Sequence, residues 1–328
     1  MLSSGNSGRH WKNTRIMIKL QTPVEVGRSD VRISLNDKIM LLGSCFSDNI
    51  GEKMSQLGFD VCVNPFGPLY NLVSLCNSIG RIASGFPFRE EECVKMGAGS
   101  ELICSFSHHT AAARENTEAF LAGANAGLQA AHDFFVVADT LILTLGTAWT
   151  FRWNESGEIV SNCLKRPAAE FTRERLSLSN TVALLKSVVS RFSSANYPGV
   201  KPKKFILTVS PIRHFKDGAH GNQLSKSILL MAAEAVCEAF PESCVYFPSY
   251  EILMDELRDY RFYAEDMVHP SSQAVDYIWE TFCDFALPEN ERPALEENRK
   301  AFLRSRHRPV LLGGSPADSI GPGGSQQH

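Results

Sequence analysis

Two short stretches of the chain carry residues suited to acyl chemistry. The first is Gly43-Ser44-Cys45, which follows a short apolar run and precedes a helical pattern of apolar residues. The second contains Asp266 and His269, just ahead of the last core helical pattern. An Asp three residues before a His can hold the imidazole in one tautomer, so that its other nitrogen acts as a general base. These stretches therefore predict a site in which Ser44 or Cys45 attacks an acyl carbon.

The first stretch also predicts where the nucleophile lies in the fold. A strand, a tight turn at Gly43 and a helix raise the following side chain above the carboxyl edge of a parallel sheet. The dipole of that helix and a nearby histidine both favour a thiolate over a thiol. We therefore expect the pKa of Cys45 to be lowered.

The alternation of strands and helices predicts the surrounding fold. Apolar runs that read as strands lie near residues 39–42, 58–63, 140–146, 204–209 and 243–247. Helical patterns between them favour an α/β fold, a three-layer αβα sandwich with a mostly parallel central sheet of about five strands. Alternation and a Gly-containing turn over residues 149–160 add a β-hairpin insertion. The loops after the parallel strands then share the carboxyl edge, where ligands bind.

The predicted domain spans residues 17–287, because no break in composition divides that range. Residues 1–16 are polar and lack the apolar core of a secretory signal, and Met17 opens a strand-like segment. We therefore expect a disordered extension before a native start at Met17. Residues 288–328 become charged and then rich in Gly, Ser and Pro, which predicts a disordered tail.

Composition argues against several classes of function. The formal net charge of −3 is unlike that of a dedicated nucleic-acid binder. No apolar run reaches the roughly 18 residues that a membrane span needs. Nine cysteines are scattered without any C-x-x-C pair. This pattern favours reduced thiols in a cytoplasmic protein over a disulfide framework or a zinc site.

Further residues are candidates for binding roles. His108 and His109 on an extended segment point to opposite faces, so we expect one core histidine and one facing the site, not a pair of metal ligands. Arg213 and His214 follow a predicted strand and are suited to binding a carboxylate or a phosphate, with a structural salt bridge as the alternative. Lys226 lies on the next predicted helix and reads as part of a solvated face.

The stretch Gly43-Ser44-Cys45-Phe46-Ser47 resembles the signature of the GSCFA family, with Ser47 where the family usually has Ala. Further blocks in order extend the resemblance over about residues 17–285. These blocks are Asn64-Pro65-Phe66-Gly67, Ser105-Phe106-Ser107-His108-His109, Gly146-Thr147-Ala148-Trp149, Ser210-Pro211-Ile212-Arg213-His214, Asp217-Gly218, Asn222-Gln223-Leu224-Ser225-Lys226 and Tyr260-Arg261-Phe262-Tyr263-Ala264-Glu265-Asp266. The family is similar in layout to the SGNH, or GDSL-like, hydrolases, which are esterases, lipases and acyltransferases acting on lipids or carbohydrates.

The resemblance implies roles for individual residues. Cys45 takes the place of the nucleophile and Ser44 that of the neighbouring aspartate. Asp266 and His269 match the Asp-x-x-His block at both positions. Gly67 matches the oxyanion-hole glycine, whose backbone N–H acts beside that of Cys45.

The third block departs from the hydrolase pattern. Those enzymes carry Gly-x-Asn where this chain has Gly146-Thr147-Ala148, so the side-chain oxyanion donor is missing. Asn64, His108 and His109 are the candidates to replace it. The loss of one such donor costs roughly 2.7–4 kcal/mol in enzymes that use it. This departure favours acyl transfer to a well-held acceptor over fast hydrolysis.

The expected activity is that of an esterase or acyltransferase acting on an acylated carbohydrate, a lipid or another small ester. Cys45, or alternatively Ser44, is the nucleophile, and neither a cofactor nor a metal ion is expected. The partner is a small-molecule or glycan ester substrate. The rival hypothesis, based on the missing asparagine, is a catalytically degenerate SGNH-like fold that serves as a carbohydrate-binding module.

Overall fold

A computed structural model describes residues 21–195 and 197–306 of the chain. Its strands are β1 Lys38–Gly43, β2 Asp60–Val63, β3 Val94–Lys95, β4 Ile103–Cys104, β5 Thr140–Leu145, β6 Trp149–Trp153, β7 Ile159–Val160, β8 Phe171–Arg175, β9 Lys204–Val209 and β10 Cys244–Phe247. Its helices are α1 Cys45–Gln56, α2 Leu72–Ser84, α3 Thr117–Val137, α4 Leu178–Phe192, α5 Gly218–Ala239, α6 Ser249–Glu251, α7 Ser272–Ala286 and α8 Arg292–Arg306. A π-helical turn, Ile252–Leu257, continues α6.

A five-stranded parallel sheet forms the centre of the fold. Its strand order is β10-β9-β5-β1-β2, and every neighbouring pair is parallel. All six residues of β5 are buried, as expected for a strand covered on both faces. The predicted sheet of about five strands is confirmed.

Side-chain alternation along the strands divides the core into two layers. In β1, Met40 and Leu42 join a cluster formed with α2, α3, α4 and α5. Ile39 and Leu41 point the other way and pack with α1 and α7. Successive strand residues face opposite sides of a sheet, so this alternation places helices on both faces. The architecture is the predicted three-layer αβα sandwich.

Antiparallel strands lie beside this sandwich in two small sheets. The predicted hairpin is present as β6 and β7, and β8 pairs with β6 on its other side. Strands β3 and β4 pair over two residues each. Of these strands, the sequence pattern predicted only the β6–β7 hairpin. Strands β3 and β4 are too brief to show alternation, and the five-residue β8 has a single apolar residue, Phe171, among charged and polar ones.

The ends of the described chain differ from the prediction. Residues 292–306 form α8, where a disordered tail was expected, and the Asn298 amide donates to the Leu57 carbonyl at 2.8 Å. This contact fastens α8 to the end of α1. The strand-like segment expected after Met17 is not a strand over residues 21–24. The expected extension at 1–16 and the residues beyond 306 lie outside the described residues.

Within the described residues, no helix combines the length and the apolar character needed to cross a membrane.

Candidate active site

Cys45 is the first residue of α1, directly after the turn that ends β1. Gly43 occupies φ +139° there, and a Cβ on it would lie 2.1 Å from the Thr144 carbonyl oxygen. Only glycine therefore fits this crossing of β1 past β5. Ser44 caps the helix by accepting a hydrogen bond from the Phe46 N–H at 3.3 Å. The turn and the cap place the Cys45 thiol at the carboxyl edge of the sheet, where it is partly exposed.

Ser44, the alternative nucleophile, is fully buried. Its hydroxyl donates to the Ser210 Oγ at 2.9 Å. Ser210 directly follows β9, so this hydrogen bond joins the ends of two strands that lie on either side of β5. The Ser44 hydroxyl has a structural role in these contacts, whereas the neighbouring thiol is the group that solvent reaches.

Asp266 and His269 form a hydrogen-bonded pair in the loop before α7. The distance between Asp266 Oδ2 and His269 Nδ1 is 2.5 Å. Asp266 Oδ1 accepts the backbone N–H groups of Val268 and His269, each at 2.9 Å. The backbone N–H of His269 and then its ring lower the pKa of Asp266 to about 2. The carboxylate therefore stays ionised and leaves Nε2 as the imidazole nitrogen free for proton transfer.

Arg213 fixes this loop to the carboxyl edge of the sheet. The Arg213 backbone N–H donates to the Val268 carbonyl at 3.3 Å, and its guanidinium donates to the Met267 carbonyl. The guanidinium also lies 4.1 Å from the centre of the Tyr263 ring. Arg213 forms none of the salt bridges of the described residues, so the alternative prediction of a structural salt bridge was wrong, and its guanidinium holds the loop through the Met267 carbonyl. Because Arg213 follows β9, the Asp266–His269 loop lies at the same sheet edge as Cys45.

The electrostatics of Cys45 differ from the sequence prediction. The pKa of Cys45 is raised, first by burial and then by the carboxylate of Asp48 on the next turn of α1. The backbone N–H of Cys45 and the Tyr70 hydroxyl lower its pKa, while the charge of Asp266 raises it. The expectation of a lowered pKa was wrong, because it counted the helix dipole and omitted desolvation. The raised pKa favours the thiol form of Cys45 over the thiolate.

Tyr70 is a site residue that the sequence did not identify. Its hydroxyl faces Cys45 and lowers the pKa of that thiol, while burial, followed by the Cys45 charge, raises the pKa of Tyr70 to about 12. The Thr147 N–H donates to the Tyr70 carbonyl at 2.8 Å. A Cβ on Gly146 would lie 2.6 Å from the same carbonyl oxygen. Gly146 and Thr147 therefore position Tyr70, and only its place in the Pro- and Gly-rich loop hinted at a role.

The other predicted oxyanion donors are engaged within the loops. The Gly67 N–H donates to the Asn64 carbonyl at 2.7 Å. The Asn64 side chain accepts from the Gly43 N–H at 2.9 Å and donates to Asp48 Oδ1 at 2.6 Å. The Thr147 hydroxyl pairs with the Ser225 hydroxyl at 3.0 Å. These groups hold the loops that carry Cys45 and Tyr70.

The two adjacent histidines lie in different environments. His108 is buried among Phe66, Phe88 and Phe120, with its Nδ1 2.7 Å from the Ser105 hydroxyl. Burial is the main cause that lowers the pKa of His108 to about 4. His109 is partly exposed, and a Cβ on Gly67 would lie 2.3 Å from its Cβ, which places His109 against the loop between β2 and α2. One histidine is thus a core residue and the other lies beside the loops of the site.

His214 lies beside Tyr70, the residue whose hydroxyl faces Cys45. Its ring centre is 6.1 Å from that of Tyr70, and its backbone N–H donates to Asn222 Oδ1 at 2.9 Å. Within the part of the chain that the structure describes, His214 Nε2 is buried and has no hydrogen-bond partner. Burial, followed by the charges of Lys226, His269 and Arg173, lowers the pKa of His214 to about 3. A neutral, unpartnered imidazole at this position is suited to binding a polar substrate group.

Lys226 is buried beneath the site and is not part of a solvated face. It is fully inaccessible, and its Nζ donates to the carbonyls of Gly146 at 2.8 Å and Ser210 at 2.7 Å. The sequence contained a signal for this position, because Lys226 precedes the buried Leu229 and Ala233 by three and seven residues on α5. The prediction overlooked this periodicity because lysine is usually exposed.

Metal ligands are not clustered in the described residues, in which no group of three or more His, Cys, Asp or Glu side chains has a suitable arrangement. The carboxyl edge of the sheet brings a thiol, an imidazole–carboxylate pair and a phenol to one side of the fold.

The sheet topology defines an α/β protein with a three-layer αβα domain. The sequence model of the GSCFA family matches residues 38–282, and the chain belongs to this family. The predicted family is thereby confirmed.

Other comparisons concern curated sequences and solved structures. No curated protein matches the chain. The fold is similar to that of LAE5, an α/β hydrolase enzyme from the metagenome of Lake Arreo in Spain, with 10% identity, a TM-score of 0.41, and coverage of 76% of this chain and 95% of that chain. It is also similar to a variant of Axe2, an acetyl-xylooligosaccharide esterase from Geobacillus stearmophilus, with 12% identity, a TM-score of 0.38, and coverage of 77% and 95%.

Proposed function

We propose that this protein is an esterase or acyltransferase that acts on an acylated carbohydrate or another small ester. Cys45 is the nucleophile, His269 the general base and Asp266 the residue that orients the imidazole. The observation that carries the proposal is the Asp266–His269 pair, whose atoms are 2.5 Å apart on the sheet edge that also holds the Cys45 thiol. The fully buried Ser44 is the less suitable nucleophile.

The proposed reaction transfers an acyl group in two steps. His269 Nε2 accepts the proton of the Cys45 thiol while the sulfur attacks the acyl carbon. The C–O bond to the leaving alcohol then breaks, and His269 returns the proton to that alcohol. Water or an acceptor alcohol next attacks the thioester, giving its proton to His269, and the C–S bond breaks to regenerate the thiol. The acid–base roles need a neutral imidazole, which the ionised Asp266 orients.

The developing oxyanion has two candidate donors in the proposed mechanism. The backbone N–H of Cys45 is at the start of α1, where unpaired N–H groups point towards negative charge. The Tyr70 hydroxyl faces the Cys45 thiol, and in the proposal it donates to the oxygen on the carbon that the sulfur attacks. Tyr70 thereby takes the role of the asparagine missing from Gly146-Thr147-Ala148. Neutral His214 is proposed to bind the acceptor alcohol through Nε2.

The test is a comparison of single substitutions on short-chain nitrophenyl esters. Cys45→Ala and His269→Ala are each expected to lower kcat/KM by at least about 1,000-fold. The thiol and the imidazole act in the same proposed step, so the loss of either one stops it. Ser44→Ala should retain most activity after correction for the folded fraction. Cys93→Ala, which removes another partly exposed thiol, is the matched control. Loss confined to Ser44→Ala would instead assign the nucleophile to Ser44.

A second candidate function is binding of a glycan without turnover. A cleft of about 640 Å³ lies beside α2 and is lined in part by the exposed Phe86, the half-buried Phe106, Ser74 and Arg81. In the described part of the chain, the Ser74 hydroxyl is buried without a hydrogen-bond partner. Aromatic faces beside unpaired hydroxyls are suited to a sugar. Saturable glycan binding by the wild-type protein, together with no turnover on a broad acyl panel, would favour this function.

The proposed setting is a reducing compartment such as the cytoplasm. All nine cysteines are free thiols. Disulfides are rare in such compartments, and a nucleophilic thiol stays reduced there. Recovery of full ester turnover only after treatment with a thiol reductant is the expected behaviour of the purified protein.

A further inference from the structure

Two cysteines outside the candidate active site lie side by side. Cys237 is in the last turn of α5, and Cys244 is the first residue of β10. Their sulfur atoms are 3.7 Å apart and share a thiol hydrogen bond. Within the described residues, which include all nine cysteines, no other two thiols form such a bond. The close contact therefore distinguishes this pair from the remaining cysteines.

The backbone between the two cysteines is held in place at both ends. The Cys244 N–H donates to the Phe240 carbonyl at 2.9 Å, and the Phe240 N–H donates to the Cys237 carbonyl at 3.2 Å. Beside the strand, the Phe205 N–H donates to the Ser243 carbonyl at 2.7 Å. These hydrogen bonds fix the end of α5 against the start of β10. The short distance between the two sulfurs is therefore set by the fold.

A disulfide needs only a small movement of these two side chains. The sulfurs of a disulfide are about 2.05 Å apart, so each sulfur has to approach the other by roughly 0.8 Å from the observed separation of 3.7 Å. Rotation about the two Cα–Cβ bonds moves the sulfurs towards each other. The backbone hydrogen bonds between α5 and β10 therefore stay in place.

The two thiols differ in their access to solvent. Cys237 is partly exposed, whereas Cys244 is buried in the core layer that includes α5. The hydrogen bond with Cys237 and burial both raise the pKa of Cys244. Cys237 is therefore the thiol that an oxidant reaches first, and Cys244 is the neighbour that reacts second.

We propose that Cys237 and Cys244 are a modification site, at which a low-molecular-weight disulfide converts the two thiols into one intramolecular disulfide. The Cys237 sulfur loses its proton to solvent and attacks one sulfur of the oxidant, whose S–S bond breaks and releases a thiolate that takes up a proton. The Cys244 sulfur then loses its proton and attacks Cys237 Sγ, and the second small thiol leaves with that proton. Two cysteine thiols are thus oxidised, while one small disulfide is reduced to two thiols.

This site lies away from the proposed nucleophile. Cys244 begins β10 and pairs with Phe205, the second residue of β9, so the disulfide would form at the amino edge of the sheet. Cys45 lies at the carboxyl edge. In the described part of the chain, β10 is an edge strand that pairs with β9 alone. The disulfide would fasten this edge strand to α5, and the inference goes beyond the proposed function.

The test is mass spectrometry of the full-length wild-type protein after incubation with oxidised glutathione and blocking of the remaining thiols with iodoacetamide. The tryptic peptide 227–258 contains both cysteines and no others, because no Lys or Arg lies between Lys226 and Arg258. We expect this peptide to carry no blocking group and to be lighter than the reduced peptide by two hydrogens. Cleavage after Glu238 and Glu242 should leave its two halves joined until a reductant is added.

Single substitutions identify the order of the two steps. Cys244→Ser leaves Cys237 without its partner, so glutathione should stay on Cys237. Cys237→Ser removes the accessible thiol, so the buried Cys244 should stay reduced. Cys163, a partly exposed thiol outside the pair, is the internal control and should keep one glutathione in every variant.

The wild-type protein alone is sufficient to reject the proposal, so the result does not depend on the folding of a variant. The proposal would be overturned if the wild-type peptide 227–258 kept glutathione, or if it remained reduced at both cysteines while Cys163 was modified. The readout is a mass and needs no ester turnover. Its outcome is therefore separate from that of the proposed function.

Discussion

The two edges of the parallel sheet each contain a buried lysine, and the two lysines have different neighbours. Lys203 at the amino edge donates to the carbonyls of Ala138 at 2.7 Å and Val136 at 3.3 Å. Lys226 at the carboxyl edge also donates to two carbonyls. The pKa of Lys203 is lowered to about 8 and that of Lys226 to about 7, in both cases chiefly by burial. Asp139 supports the charge of Lys203, whereas only Cys45 supports that of Lys226.

This difference separates a structural use of a buried charge from a chemical one. At the amino edge, Asp139 is a permanent anion that accepts the Lys38 N–H at 2.9 Å and pairs with Lys201. At the carboxyl edge, Lys226 Nζ donates to the Gly146 and Ser210 carbonyls and, within the described residues, forms no ion pair with a carboxylate. A buried lysine without a permanent anionic partner is the kind of perturbed group that is concentrated at functional sites.

The largest expected effect is on kcat, and it is tested by replacing one carboxylate at each edge of the sheet. Asp266→Asn should lower kcat by about 100- to 10,000-fold, because an amide cannot hold His269 in the required tautomer. Asp139→Asn should leave kcat within about twofold and lower the free energy of unfolding by about 1 kcal/mol through its lost contacts. Ester kinetics and urea unfolding on both variants provide the measurement. Equal activity losses in the two variants would remove the distinction between the edges.

The next effect concerns two buried tyrosine hydroxyls. Tyr70→Phe should lower kcat by about 100-fold with little change in KM, as expected for loss of one oxyanion donor. Tyr246 is the matched control, because its hydroxyl donates to Glu251 at 2.8 Å and contacts no predicted catalytic group. Tyr246→Phe should change stability only. A Tyr70→Phe enzyme with a raised KM and an unchanged kcat would make Tyr70 a substrate-binding residue.

The smallest effect is the pH dependence of stability. For both lysines the folded-state pKa lies below the ordinary value, so the unfolded chain binds more protons at intermediate pH. The free energy of unfolding should therefore rise with pH, from about pH 7 for Lys226 and from about pH 8 for Lys203, towards the ordinary lysine pKa. Below these values the full cost of the buried charge is present.

This dependence is measured as a difference between wild type and each Lys→Met variant. Urea unfolding at pH 6, 8 and 10 should give a wild-type minus variant difference that grows with pH, by at most about 1.4 kcal/mol per unit. Taking the difference removes the opposing titration of cysteines and tyrosines with raised pKa values. A difference that stays constant from pH 6 to pH 10 would show that neither lysine titrates abnormally.

The sequence predicted the central architecture well, because strands buried on both faces and capped helices leave strong local patterns. The apolar run that ends at Gly43 and the apolar run of the fully buried β5 were recognisable from the sequence alone. Strands of two residues and the helix α8 left no comparable pattern. The charged segment 292–306 was interpreted as a tail, since its few apolar contacts, such as those of Leu295, are made across the fold with the core layer of α1 and α7.

The site was predictable only in part, for physical reasons. The spacing of Asp266 and His269 is local, so their hydrogen bond could be predicted. The burial of Lys226, the reach of Tyr70 and the raised pKa of Cys45 depend on loops brought together from distant parts of the chain. A local sequence pattern cannot indicate how strongly these side chains are desolvated where distant loops meet.

The measurement that tests the central claim most directly is the trapping of an acyl-enzyme. Wild-type protein mixed with a nitrophenyl ester and quenched in acid should gain one acyl group, and peptide mapping should locate it on Cys45. Cys45→Ala should gain none, and His269→Ala should gain it far more slowly. An acyl group found on Ser44, or equally on several exposed side chains, would contradict the account.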